Sequence, residues 1–175
     1  MQLHQAAELG SIELIQILLD RGADVNINSS NCPGSVLKTV AAYGTCDTAK
    51  FLIEQGATVD RKDLSSANST DMIDLLISHN NLSGVSDCGA LHAKCSGPIS
   101  LLTHLLDKDF DIEAIDGLGD TPLLSACGSN YPSSEIVALL LRNGADVKAR
   151  SASAYCSSVV KGDTPCEFLV PIFEP

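Results

Sequence analysis

The chain has 175 residues, with 22 Asp and Glu against 11 Lys and Arg, a formal net charge of −11. This acid excess, present in every third of the chain, removes the counterion release that drives nucleic-acid binding and the attraction to an anionic lipid surface, so neither is expected as a partner. At 45% apolar and 19% charged the composition is that of a folded chain, with no apolar run near the ~18 residues of a membrane span, no secretory leader at Met1-Gln2-Leu3-His4-Gln5, and seven Cys, too few for a disulfide scaffold. An intracellular protein of the cytoplasm or nucleus, with reduced thiols, is expected.

In chain order, Leu3 to Gly10 reads as a helix in which Ala6 and Ala7 permit close packing. A second helix follows. Its apolar residues Ile12, Leu14, Ile15, Ile17, Leu18 and Leu19 wrap more than half of its surface, which predicts cover on more than one side. It runs into Leu18-Leu19-Asp20-Arg21-Gly22-Ala23-Asp24-Val25. Leu37 to Gly44 repeats the first element, and Leu52-Ile53-Glu54-Gln55-Gly56-Ala57-Thr58-Val59 repeats the end of the second.

Further on, the stretch from Gly56 to Asn68 is too short for a hairpin and a full helix. Leu64-Ser65-Ser66-Ala67 has room for one short turn, so the first helix of this unit is predicted to be stunted or absent; a stretch missing from the gene model is the alternative. A weaker copy of the second element lies at Leu76 to Leu82, and another at Leu105 to Ile112. Asp116 to Cys127 is the fullest first element, with Thr121 placed to cap a helix and Pro122 at its first position. Leu140-Leu141-Arg142-Asn143-Gly144-Ala145-Asp146-Val147 closes the best-formed copy, and Gly162-Asp163-Thr164-Pro165 opens another. The apolar pairs begin at 18, 52, 76, 105 and 140, in steps of 34, 24, 29 and 35 residues. After each comes Gly22, Gly56, Asn80, Asp109 or Gly144, residue types suited to the left-handed turn that ends a helix.

These two elements, recurring in order, resemble the ankyrin repeat, whose pattern is D-x-x-G-x-T-P-L-H-x-A-A followed by L-L-x-x-G-A-D-V-N. The resemblance covers nearly the whole chain. It implies an all-α ankyrin-repeat solenoid of stacked helix-turn-helix units with short hairpin loops, an irregular third repeat and incomplete terminal repeats. As a single domain over 1–175, the approximate units are 1–27, 28–60, a degenerate 61–83, 84–115, 116–149 and a partial 150–175. The apolar tail Phe168, Leu169, Val170, Ile172 and Phe173 either folds back over the last complete repeat or belongs to a longer protein; the second is favoured.

Chemistry finds little support. Cys88, His92 and Cys95 share a helical face at steps of four and three, but zinc wants a fourth ligand and tighter Cys pairs. Cys95 aligns with Ala7 and Cys127, a small core position. His92 aligns with His4, which in the family commonly bonds neighbouring hairpins. Cys95 and Cys127, in adjacent repeats, are not expected to form a disulfide. The acids Asp107, Asp109 and Asp111 alternate as in a calcium loop, yet Ile112 stands where glycine is required and Leu118 where the bidentate Glu belongs. Asp111 aligns with Asp24 and Asp146, a solvated turn. His104, on an apolar face, reads as a half-buried residue, and no nucleophile-elbow, P-loop or zinc-protease motif occurs.

No metal, cofactor, catalytic residue or small-molecule substrate is therefore expected. What remains is a monomeric, non-catalytic scaffold that binds a partner protein of unknown identity. The resemblance implies a concave face of hairpin tips and first-helix surfaces. By register its candidate residues are Ile27, Asn28 and Asn31, then Tyr43 and Lys62, then Ile115, Leu118, Asp120 and Tyr131. Tyr43, Tyr131 and Leu118 are the candidate anchors, because few interface residues carry most binding energy. Two alternatives stand beside this reading: a substrate-recruiting or regulatory segment of a larger enzyme or signalling protein, and a degenerate fragment without function of its own.

Overall fold

The structure, a computed structural model, describes residues 2–28, 34–80, 89–129 and 132–150. All regular structure among them is helical. The chain divides into two compact units, 1–82 and 83–175.

The first unit holds α1 (Gln2–Glu8), α2 (Ile12–Asp20), α3 (Val36–Tyr43), α4 (Cys46–Glu54), α5 (Arg61–Ser66) and α6 (Thr70–Asn80). The helices begin where side-chain oxygens can satisfy free backbone N–H groups. Ser11 accepts from Leu14 N, Ser35 from Lys38 N and Thr45 from Thr48 N. Asp60 and Asp63 form a reciprocal capping box at the start of α5. Helices then pair within a repeat, α1 with α2 and α3 with α4. First helices stack on first helices, α1 on α3 and α3 on α5, and α4 packs on α6. Ala7, Ile15, Leu37, Ala41, Leu52, Leu64 and Ile73 fill the layers between them. Six-residue α5 is the shortened helix that the chain length between Gly56 and Asn68 demanded.

The second unit holds α7 (Ala90–Lys94), α8 (Ile99–Leu106), α9 (Pro122–Gly128) and α10 (Ser134–Arg142). Here α7 packs on α9 and α8 on α10. Thr121 caps α9 by accepting from Leu124 N, with Pro122 at the first helical position, as the sequence required.

Four of the five turn positions take the left-handed backbone: Gly22, Gly56 and Gly144 at φ 85°, 89° and 93°, and Asp109 at φ 59°. At the glycines the amide of the glycine and that of the next residue return to the last carbonyls, as Gly22 N donates to Leu19 O and Ala23 N to Leu18 O. Asn80 corrects the expected register. It is still within α6, so the Leu76 copy ends later than its resemblance to the others suggested. A second correction concerns α2. Ile15 is buried, but Ile12, Leu14 and Ile17 are exposed, so the helix is covered less fully than its apolar content predicted.

No helix among the described residues is long and apolar enough to cross a membrane.

Candidate binding surfaces of the two units

Three of the repeats end in a turn built on one acid. Asp24, Asp111 and Asp146 each accept, through Oδ1, from the amide two residues on, at 2.9, 2.9 and 2.8 Å. The alternating acids at 107–111 are thus part of a repeated turn. The residue donating that bond can reach the next turn with its side chain. Asn26 Oδ1 accepts from Thr58 N at 2.8 Å, and its Nδ2 donates to Gly56 O at 3.1 Å. In the second unit Glu113, the equivalent of Asn26, accepts from Asp146 N at 2.7 Å. Histidines fasten the other side of the hairpins. His4 Nε2 donates to Gly34 O at 3.3 Å and His92 Nε2 to Asp120 O at 2.8 Å, the role the resemblance implied.

On this framework the first unit carries a polar cleft of about 570 Å³. Asn26 and Asn28 contribute from one turn, Ser35 and Lys38 from the start of α3, and Asp60, Lys62 and Asp63 from the start of α5. Asp63 lies at its base, accepting from Asp60 N at 2.7 Å and from Ser35 Oγ at 3.4 Å. Burial pushes its carboxyl above the ordinary range and the Asp60 carboxylate adds to this. The Asp60 amide, the Ser35 hydroxyl and the Lys38 ammonium pull it partly back. The cleft therefore offers ammonium groups, amides, the hydroxyls of Ser35 and Thr58 and the Asp60 carboxylate, beside an Asp63 carboxyl that is already hydrogen-bonded.

Of the sequence candidates, Asn28 and Lys62 meet in this cleft. Ile27 is exposed on the turn just before Asn28, and Tyr43, 72% exposed, ends α3. In the second unit Ile115 and Leu118, 60% and 59% exposed, stand on the turn before α9. That turn is tied down: Asp116 Oδ1 accepts from Leu118 N at 2.8 Å and Asp120 N at 3.0 Å, and Asp116 N donates to Asp120 O. Asp120 corrects the surface assignment. It is only 6% exposed and closes the turn with its backbone, so it is a structural residue. Asn31, Tyr131 and Cys88 lie outside the described residues.

Sequence reasoning missed Lys38, Asp60 and Asp63, since the cleft joins residues from three successive turns. The D-x-x-D spacing of the capping box was the available signal. Cys95 is buried, as its alignment with Ala7 implied. Its Sγ donates to Leu91 O and lies 3.2 Å from Pro122 O, and burial pushes the thiol pKa up to about 12. Cys95 and Cys127 are not joined in a disulfide, and His104 is half-buried on α8.

Family models described as ankyrin repeats match residues 3–53 and 64–151. The chain is 28% identical to Ankyrin repeat protein nuc-2 of Neurospora crassa, over 92% of this chain and 16% of that protein. It is 30% identical to Ankyrin repeat and SOCS box protein 6 of Homo sapiens, over 82% of this chain and 39% of that one. The chain thus spans less than half the length of these relatives. Among solved structures, the ankyrin repeat protein EF0377 superposes with a TM-score of 0.64 at 23% identity, covering 99% of this chain and 98% of the other. The ankyrin repeat domain of Bcl-3, of the IkappaB family, superposes with a TM-score of 0.66 at 22% identity, covering 100% and 87%.

Proposed function

Because the chain belongs to the ankyrin repeat family, whose repeats generally mediate protein–protein interaction, we propose that it is a non-catalytic module that docks a partner protein on its hairpin turns and first-helix surfaces. The observation that carries this reading is the pairing of exposed anchors with pinned backbone. Leu118 and Ile115 stand in solvent on a turn closed by Asp116, and Tyr43 stands at the end of α3. A large side chain on an already ordered backbone costs little further entropy to bury, which is what an energetic anchor needs. The first-unit cleft adds hydrogen-bonding capacity through Asn28 and Lys62. A cytoplasmic or nuclear setting agrees with Cys46, Cys95 and Cys127 lying outside any disulfide.

The test is quantitative affinity capture with the 175-residue chain, compared with Tyr43→Ala, Leu118→Ala and a control, Glu54→Ala, on the exposed surface of α4. A partner is expected whose recovery drops at least ~10-fold with an anchor variant and is unchanged with the control. Equal recovery across all three variants would refute the proposed face.

A second reading is favoured by the relatives' lengths and names. The chain covers 39% of a SOCS box protein and, at 36% identity over 66 residues, 2% of the E3 ubiquitin-protein ligase hecd-1 of Caenorhabditis elegans. The same surface would then recruit substrates for a larger enzyme. A bound protein that is ubiquitinated only when this chain is intact would support it.

A further inference from the structure

The turn that closes α10 holds a chemistry that its counterparts lack. The residue capping the C-terminus of α2, α4 and α10 is Arg21, Gln55 and Asn143 in turn, and the backbone there is nearly the same, with ψ 8°, 7° and 9°. Each is followed by a glycine in the left-handed region, Gly22, Gly56 or Gly144. Of the three, Asn143 alone has a side-chain carbonyl carbon one methylene from its Cα, so only there can the next backbone nitrogen close a five-membered ring. Asn143–Gly144 is also the one Asn-Gly pair in the sequence, and glycine has no side chain to shield its nitrogen.

The reaction at such a pair needs only base and water. Base removes the Gly144 amide proton, the nitrogen bonds to Asn143 Cγ, and the Cγ–Nδ2 bond breaks as ammonia leaves with a proton from solvent. Water then opens the cyclic imide at either carbonyl, which leaves aspartate or isoaspartate at position 143. The folded turn opposes ring closure in three ways. Gly144 N donates to Leu141 O at 3.1 Å, which holds the proton that must be lost. Asn143 Nδ2 donates to Leu139 O at 2.8 Å, which turns the side chain back along the helix. At ψ 9° the nitrogen of Asn143, rather than its Cβ, is eclipsed with Gly144 N, so the ring cannot close without rotating the backbone. Both residues are exposed, so conformation and not exclusion of water protects them. The layer beneath holds that conformation. Ala145, 8% exposed, donates from its N to Leu140 O, and Asp146 N donates to Glu113 Oε1 of the preceding repeat at 2.7 Å.

We infer that Asn143 is a modification site gated by the fold: it deamidates when the end of α10 opens, and the change is one-way. The aspartate product loses the donor to Leu139 O and sets a negative charge beside the C-terminal carbonyls of α10, where the helix dipole disfavours it. The isoaspartate product routes the main chain through the former side chain and adds one carbon to the turn. Neither product restores the original bonds, so an opening of this unit can leave a permanent covalent record. The unit so marked is the one whose turn carries Ile115 and Leu118.

Timed incubation of the 175-residue chain in mildly alkaline buffer, read by peptide mass spectrometry, tests it. The reference is a free peptide of residues 138–149 in the same buffer, and Gln55–Gly56 is the internal control. Asn143 should convert in the peptide and at least ~10-fold more slowly in the folded chain, because reaction waits on local opening. Gln55 should stay unchanged in both. Glu113→Ala, which removes the tie to Asp146 N from a surface position, should keep the helical circular-dichroism spectrum and speed conversion of Asn143. Leu140→Ala should speed it further, reaching the peptide's rate if the variant is unfolded. Asn143→Asp should melt below the wild-type chain. Conversion in the folded chain as fast as in the peptide overturns the gating. No conversion in the peptide overturns the site itself. A rate unmoved by both Glu113→Ala and Leu140→Ala, or an Asn143→Asp chain as stable as wild type, overturns the link to this turn.

Discussion

Leu140→Ala probes the inter-repeat layer most directly. Leu140 is fully buried in α10, in the unit where α10 packs on both α9 and α8. Its carbonyl accepts from Asn143 N and Ala145 N, backbone bonds that a side-chain truncation leaves in place. The loss is then one of packing alone. Deleting three buried carbon groups at about 0.8 kcal/mol each removes about 2.4 kcal/mol of transfer free energy. The cavity left between layers that are held on two sides adds to this, for a total of about 3–5 kcal/mol. The reference is Glu135→Ala on the exposed side of the same helix, where Ser133 makes no side-chain cap bond and a change under about 0.5 kcal/mol is expected. Urea titration followed by far-ultraviolet circular dichroism measures both. A Leu140→Ala loss below about 1 kcal/mol, or one equal to that of Glu135→Ala, would show that this layer does not hold the unit together.

Gly144→Ala meets no atom within 4 Å, so its cost is backbone strain at φ 93° alone, about 1–2 kcal/mol in the same titration; a neutral result would contradict the turn geometry. The Asp63 carboxyl, raised by burial, contributes most to stability when protonated, and that contribution is lost as pH rises from its unfolded value of 3.8 through its higher folded value. Relative to Asp63→Asn, the wild-type chain should therefore gain melting temperature as pH falls from neutrality toward 4, and a constant difference would speak against the buried carboxyl. Native Cys95, 2% exposed and with a thiol pKa near 12, should resist alkylation at pH 8 while Cys46 and Cys127, both partly exposed, are labelled. Peptide mass spectrometry before and after urea reads this out, and rapid native labelling of Cys95 would contradict its burial.

Local chemistry made much of this fold legible. Thr121 announces a helix start because capping needs only a neighbouring amide, and Ser11 and Thr45 cap their helices by the same chemistry though they were not read as caps. Gly22, Gly56 and Gly144 announce helix ends because a Cβ is strained there. Asp109 shows that the backbone requirement survives a change of residue. The same logic failed at Asn80, since a residue that tolerates the left-handed region need not occupy it. Exposure was harder to read. Leu14 and Ile136 look alike in sequence, yet the first is half exposed and the second is buried, because burial depends on packing partners distant in the chain. Asp120 looks like a polar tip residue, but its backbone is needed to close the turn. The cleft was hidden for a third reason: its walls come from positions 26 to 63, and repeat periodicity does not say which side chains of successive turns converge.

Thr48 has a consequence of another kind. It sits in an otherwise apolar layer with no exposed surface, its hydroxyl 3.0 Å from Thr45 Oγ1 and 3.5 Å from Gly10 O of the preceding repeat. Greasy layers tolerate sliding, because one aliphatic contact replaces another. A buried hydroxyl does so less readily, since a slide separates it from Gly10 O and leaves it only the bond to Thr45, which caps the same helix and moves with it. Thr48 thus acts as an indexing notch between the first two helix pairs, making one alignment of nearly interchangeable layers cheaper than its neighbours.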